Sequence, residues 1–331
     1  MSDPAIHRSG HPPATGTGAA PVVGLLYNPR SHRNQGRDLE RAESADVLVE
    51  TPAERGDIVR AVERFAAAGV DLLVVNGGDG TVRDVLTCGL PVFGTDWPAL
   101  AVLPKGKTNA LNVDLGAPQG WELADAIAGW SGGRRVARRP LAIRSLERGG
   151  DPLLGFILGA GAFTTATRAG QDAHRMGAFD SLAVGVTTGW GVLQMVLGGN
   201  RNVWRRGTPM AIAIGPRAAP LAHRYGDDAQ RRALLFSSTL RRFPYGMKPF
   251  GEAQRGIGLA VVDRAGRRLI ATLPLIVSGR LRDWAQRQGL HQLDVERFEF
   301  DLGGQFILDG EAFPAGRYAV EQGPELSFVV P

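Results

Sequence analysis

The chain has 331 residues, 38 basic and 33 acidic side chains and a 44% apolar share, which is enough for two domains that each bury a core. Its net charge of +5 suits a nucleotide phosphate or an anionic membrane surface, and the absence of a basic run with interleaved aromatics argues against a nucleic-acid binder. Cys88 is the single cysteine and the six histidines include no HExxH pair, so an internal disulfide is excluded and zinc is not expected.

Residues 1–20 are rich in Pro, Gly, Thr and Ala without an apolar h-region, so the sequence predicts a disordered tail, no signal peptide and a cytoplasmic location. Residues 21–27 predict a first strand, 45–50 a second, and 57–68 an amphipathic helix with Ile58, Val62 and Phe65 on one side. The apolar run 72–75 then predicts a fully buried parallel strand, which stops in Gly77-Gly78-Asp79-Gly80-Thr81 and restarts as a helix. Such a junction places bare backbone N–H groups at the carboxyl edge of a sheet, where they attract anions. Its glycines let phosphate oxygens approach the main chain, and Asp79 adds a carboxylate able to hold Mg2+ or take a proton. Cys88, on that helix, is expected to be a small buried residue.

A second strand-to-helix junction follows. Residues 99–103 lead into Pro104-Lys105-Gly106-Lys107-Thr108-Asn109, so two adjacent turns are placed to clasp one polyphosphate. Gly106-Lys107-Thr108 matches the end of a P-loop, but Ala101 stands where that pattern needs glycine, which argues against a P-loop NTPase. A short helix over 121–130 closes this part of the chain. Alternating strands and helices predict a doubly wound parallel sheet.

Past Arg134 the texture changes to short apolar runs separated by Gly, Pro or charged turns, at 156–158, 210–214, 233–238, 258–262, 273–277 and 298–300. This predicts an antiparallel β domain. The uncharged stretch 181–200, diluted by glycines, threonines and Gln194, predicts a core helix or a lipid-facing lid flanked by arginines rather than a transmembrane span. Near the end, Phe306-Ile307-Leu308 runs into Asp309-Gly310-Glu311, a tight turn that aims a carboxylate out of a strand end.

Asn28-Pro29-Arg30-Ser31, the Gly77 to Thr81 turn, the Pro104 to Asn109 segment and Asp309-Gly310-Glu311 together resemble the diacylglycerol kinase and sphingosine kinase superfamily in order and spacing. Gly246-Met247-Lys248-Pro249 followed by Gly256 and a strand is similar to its mid-domain segment. The resemblance implies an α/β nucleotide-binding domain with a parallel, doubly wound sheet, a β-sandwich-like second domain and an active site in the interdomain cleft. The domain expectation is a tail at 1–20, the nucleotide-binding domain at 21–133, a lipid-acceptor domain at 134–318 and a C-terminal segment, 319–331, returning to the first domain.

The implied activity is transfer of the γ-phosphate of ATP, with Mg2+, to a lipid hydroxyl. Diacylglycerol is the favoured acceptor, with a sphingoid base, NAD or a small polyol as alternatives, or a catalytically impaired sensor. Glu311 is the leading general base and Asp79 its alternative, the latter otherwise a metal ligand. Asn28, Gly77, Gly78, Gly80, Thr81, Gly106, Lys107, Thr108 and Asn109 are expected at the nucleotide, and Asp84 at the acceptor. Lys105 and Lys107 are candidate counter-charges for phosphate, with plain solvation as the alternative for both and the favoured reading for Lys105. Expected partners are the lipid substrate, a peripheral contact with an anionic membrane and a second copy of the chain in a homodimer, with no nucleic acid.

Three positions depart from the family pattern. Ala110 stands where many members have Asp, Arg83-Asp84 replaces the usual Asn-Glu, and Arg255-Gly256 replaces Asp-Gly. These leave magnesium placement and acceptor identity open.

Overall fold

A computed structural model describes residues 20–34, 36–43, 46–164, 207–250, 254–278 and 280–331. The stretch 181–200 lies outside the described residues.

The first part of the chain alternates strands β1 (Val23–Tyr27), β2 (Leu48–Glu50), β3 (Leu72–Gly77) and β4 (Ala99–Pro104) with helices α1 (Arg37–Glu43), α2 (Arg55–Ala67), α3 (Asp79–Phe93), α4 (Ala110–Leu115) and α5 (Leu123–Gly132). The strands lie in the order β2-β1-β3-β4 and all run parallel. Every residue of β1 and β3 is buried. Their side chains therefore feed two cores. Leu73 and Val75 pack with Ile58, Val62 and Phe65 of α2 and Val85 and Leu86 of α3 on one face, whereas Leu72 and Val74 pack with Ala42 of α1 and Leu123 and Ala126 of α5 on the other. Period-2 side chains under helices on both faces make this a doubly wound sheet, as expected.

Two further strands complete that sheet. β5 (Arg134–Arg138) is its antiparallel edge, and the last strand of the chain, Leu326–Val330, inserts between β4 and β5.

The second part holds β6 (Leu141–Ser145), β7 (Leu153–Gly155), β8 (Ile157–Gly161), β9 (Thr208–Ile214), β10 (Ala219–Pro220), β11 (Arg231–Arg232), β12 (Leu234–Ser238), β13 (Ile257–Val262), β14 (Leu290–Val295), β15 (Arg297–Leu302), β16 (Phe306–Leu308), β17 (Glu311–Phe313) and β18 (Gly316–Gln322), with Leu326–Val330 as β19. They form two antiparallel sheets, one ordered β10-β9-β15-β18-β6-β7 with β11 beside β9, the other β14-β13-β12-β8-β16-β17. Phe298, Phe300, Phe306, Leu158 and Leu259 fill the space between them. The result is the sandwich that the short, turn-punctuated runs predict.

One run is corrected. Residues 273–277 form a helix, not a strand, with Pro274 in its first turn where no N–H is needed, and Ile276 packs onto Leu269, Ala285 and Leu290. A five-residue apolar run carries no period that separates the two structures.

The parts are joined twice. Pro140 links β5 to β6, Gly323 links β18 to β19, and the Gly323 N–H donates to the Pro140 carbonyl at 2.8 Å. The core of the α2/α3 face continues without a break through Leu154, Phe156, Leu240 and Phe243 of the second part. This packing sets the Asp309 turn against the start of α3.

Candidate active site

At the carboxyl edge of the first sheet, β3 ends in Gly77 and α3 begins at Asp79, with Gly78 in extended conformation at the cap. Both glycines are required by close approach. A Cβ on Gly77 would lie 2.5 Å from that of Thr81, and one on Gly78 would lie 2.9 Å from the Gly106 Cα. The two strand-to-helix loops thus touch through bare backbone. Gly106 belongs to a loop that closes on itself: Asn109, left-handed at φ 49°, accepts the Gly106 N–H at 2.8 Å and donates to the Gly106 carbonyl at 2.9 Å. Lys107 and Thr108 stand exposed on its rim.

Asn28 reaches in from the end of β1, where its amide donates to the Thr81 hydroxyl at 2.8 Å and its side-chain oxygen accepts the Arg30 N–H at 3.0 Å. Asn28, residues 77–81 and residues 106–109 are therefore brought to one place. Within it, the Gly106 amide is spoken for by Asn109, and Asn28 and Thr81 satisfy each other. The first-turn amides of α3 have no carbonyl partners within the helix, which leaves them as anion donors.

Lys105 does not face this cradle. Its ammonium pairs with the buried Asp38 at 2.6 Å, and Asp38 also accepts the Asn76 amide at 2.8 Å and the Leu123 N–H at 3.1 Å. A carboxylate taken out of water needs a cation, so Lys105 is neither solvated nor free to meet phosphate. This network was missed in sequence, although Asn76 ending an apolar strand is its one visible mark.

Asp79 bridges the two loops. Its carboxylate accepts the N–H groups of Ala110 at 3.0 Å and Leu111 at 3.2 Å, capping α4. Burial raises its carboxyl above the ordinary range, against the pull of those amides.

The second part contributes the turn between β16 and β17, whose central residues Asp309 and Gly310 have φ of 43° and 87°. A two-residue turn with both φ positive suits Asp-Gly, and it delivers Glu311 half-exposed at the start of β17. Asp309 is itself a cap, accepting the N–H groups of Phe156 and Ile157 at 2.9 Å each. Burial, and next the Asp79 charge, push its carboxyl up to about 7. Two carboxylates, one from each part, thus face each other across the junction.

Arg83 closes the arrangement. Its guanidinium is 5% exposed, donates to Asp84 at 2.9 Å and to the Leu308 carbonyl at 3.0 Å, and pairs with Glu311. It also lies over the Phe313 ring at 5.8 Å. Asp84, expected at the acceptor, stands beside Glu311 through this shared arginine. In sequence Arg83 shows only as a departure from the family pattern.

Residues 22–137 match the model of the diacylglycerol kinase catalytic domain. Over those residues the chain is similar to that kinase domain, and across the rest of its length the likeness is one of fold. Over 90 residues the chain is 39% identical to "Probable lipid kinase YegS" of Escherichia coli O127:H6, which is 27% of this chain and 30% of that protein. The protein of the same name from Shigella flexneri is 38% identical over 90 residues. The match spans about a third of the length of these relatives. A diacylglycerol kinase from Bacillus anthracis str. Sterne superposes with a TM-score of 0.62 over 96% of this chain and 99% of that chain, at 16% identity. The fold is shared across both parts. Among the described residues no helix is long and apolar enough to cross a membrane.

Proposed function

We propose that the chain is an ATP-dependent lipid kinase that transfers a γ-phosphate to the hydroxyl of a diacylglycerol-like acceptor. The parallel α/β part takes the nucleotide and the sandwich takes the lipid. The observation that supports this reading best is the meeting of the glycine cradle at 77–81 with a half-exposed carboxylate, Glu311, delivered from the opposite part.

In this reading the amides of the first turn of α3 bind the donor phosphates, with Lys107 and Thr108 closing over them from the rim. Glu311 accepts the proton of the lipid hydroxyl as its oxygen attacks the γ-phosphorus. Arg83 holds that carboxylate on the cleft wall. Asp79 is the weaker candidate for base, because both of its oxygens already accept amides of α4.

Magnesium fits the residues present on one condition. Mg2+ uses one or two carboxylates and completes its shell with phosphate and water, and Asp79 and Asp309 would supply such a pair only if they shared with it the oxygens that already accept backbone amides. Among the described residues no group of three His, Cys, Asp or Glu could hold a metal unaided. Bound there, it would neutralise charge developing on the phosphates. An anionic membrane would present the acceptor.

The test is phosphoryl transfer from labelled ATP to a lipid panel by Glu311→Gln. Loss of transfer with nucleotide binding retained is expected. Full activity in the variant would remove Glu311 from the mechanism.

A further inference from the structure

A second basic concavity lies far from the cradle. β5 pairs with β19 so that Arg138 meets Leu326, and Phe328 of β19 lies level with Leu100 near the start of β4. Arg138 is therefore at the amino-terminal edge of the parallel sheet, about one strand length, roughly 15–20 Å, from the phosphate cradle at its carboxyl edge. There a cavity of about 140 Å3 opens between the sheet and the loops that flank β12 and β13, lined by Arg138, Arg139, Arg241, Arg255, Thr239 and Gln254, with Glu325 as its one carboxylate among the described residues.

The four arginines are not equivalent. Arg138 is committed to the buried Asp114 at 2.5 Å, and Arg139 to Glu325 at 3.2 Å. Arg241 and Arg255 have no acidic partner among the described residues. Their loops are nonetheless fixed, since Asp114 accepts the Arg241 N–H and Asp294 the Arg255 N–H, each at 2.8 Å. Thr239 is 6% exposed and its hydroxyl has no hydrogen-bond partner. A wall of guanidiniums held by anchored backbone, with two of the four lacking an acidic partner among the described residues and a buried hydroxyl left over, suits an anion. Planar guanidinium forks match tetrahedral oxyanions bidentately.

We propose that this cavity binds a phosphate group through Arg241, Arg255 and Thr239, as a second anionic site separate from the nucleotide site. A phospholipid headgroup and free phosphate share that chemistry.

The full chain would be titrated with inorganic phosphate at constant ionic strength, following thermal stability, as wild type, as Arg241→Ser/Arg255→Ser and as Lys107→Ala on the cradle rim. Phosphate is expected to stabilise the wild type and Lys107→Ala, with affinity at least tenfold weaker in the double variant. Sedimentation with phosphatidylcholine vesicles, with and without phosphatidylglycerol, distinguishes the sources. Retention on anionic vesicles that the double variant loses identifies a headgroup, and a response to free phosphate alone identifies a soluble ligand. A double variant that answers both probes like the wild type overturns the proposal, as does a phosphate response lost in Lys107→Ala and kept in the double variant. Neither result bears on whether phosphate is transferred from ATP at the cradle.

Discussion

Arg83 carries more of the candidate site than any other side chain. A buried guanidinium with two carboxylates and a carbonyl as partners leaves all three uncompensated when it is removed, and hydrogen bonds to charged groups are worth about 1.5–3 kcal/mol each. Glu311 is half exposed, so water screens its share. Arg83→Ala is expected to cost about 2–3 kcal/mol in urea unfolding, and to lower kcat more than it changes the KM for ATP. An unfolding midpoint equal to wild type would show that the arginine is spectator to the junction. Asp309 gives a pH signature. Its carboxyl sits at about 7 in the folded chain against about 3.9 when unfolded, so between those values only the folded state keeps the proton. Stability contributed below about pH 4 is therefore lost as pH rises towards 7. Thermal midpoints of the wild type should fall over that window more steeply than those of Asp309→Asn, a residue that tolerates the same positive φ. Added Mg2+ should flatten the fall by favouring the ionised pair. Equal slopes in the two proteins would contradict the shift.

The two strand-to-helix loops act as one element, because each is shaped by the other. A Cβ on Gly106 would lie 2.6 Å from the Gly78 Cα, backbone against backbone, with no flexible side chain to move aside. Gly106→Ala is expected to destabilise by about 1–3 kcal/mol and to weaken ATP binding, as read by calorimetry. Unchanged ATP affinity would mean that loop contact does not shape the cradle. This coupling explains what was legible. Residues 77–81 and 104–109 announce themselves because close packing demands glycine there, and the Asp309-Gly310 turn is marked by the positive φ it needs. The pairing of Asp38 with Lys105, and of Arg83 with Glu311, could not be read locally, since each pair is made by tertiary contact between residues 67 and 228 positions apart. The helix at 273–277 was misread for a related reason: its inward face is set by Leu269, Ala285 and Leu290, not by its own five residues.

At the scale of the whole molecule, the two parts share a core and a double crossing at Pro140 and Gly323, so they are held together both by packing and by two chain connections. Alternation of strand and helix gave away the first sheet, and turn-punctuated runs gave away the sandwich, because burial on two faces or one leaves different periods in sequence. The order of strands in the sandwich left no such trace, since antiparallel neighbours far apart in sequence are chosen by the packed core. In the proposed reading, a nucleotide held by residues 77–81 would point its terminal phosphate at the turn carrying Glu311. The direct measurement is a crystal structure with a non-hydrolysable ATP analogue and Mg2+. The account predicts phosphate oxygens within hydrogen-bond distance of the amides at 78–81, with the γ-phosphate towards Glu311. An ordered nucleotide bound elsewhere, with that bend closed by its own side chains, would contradict it.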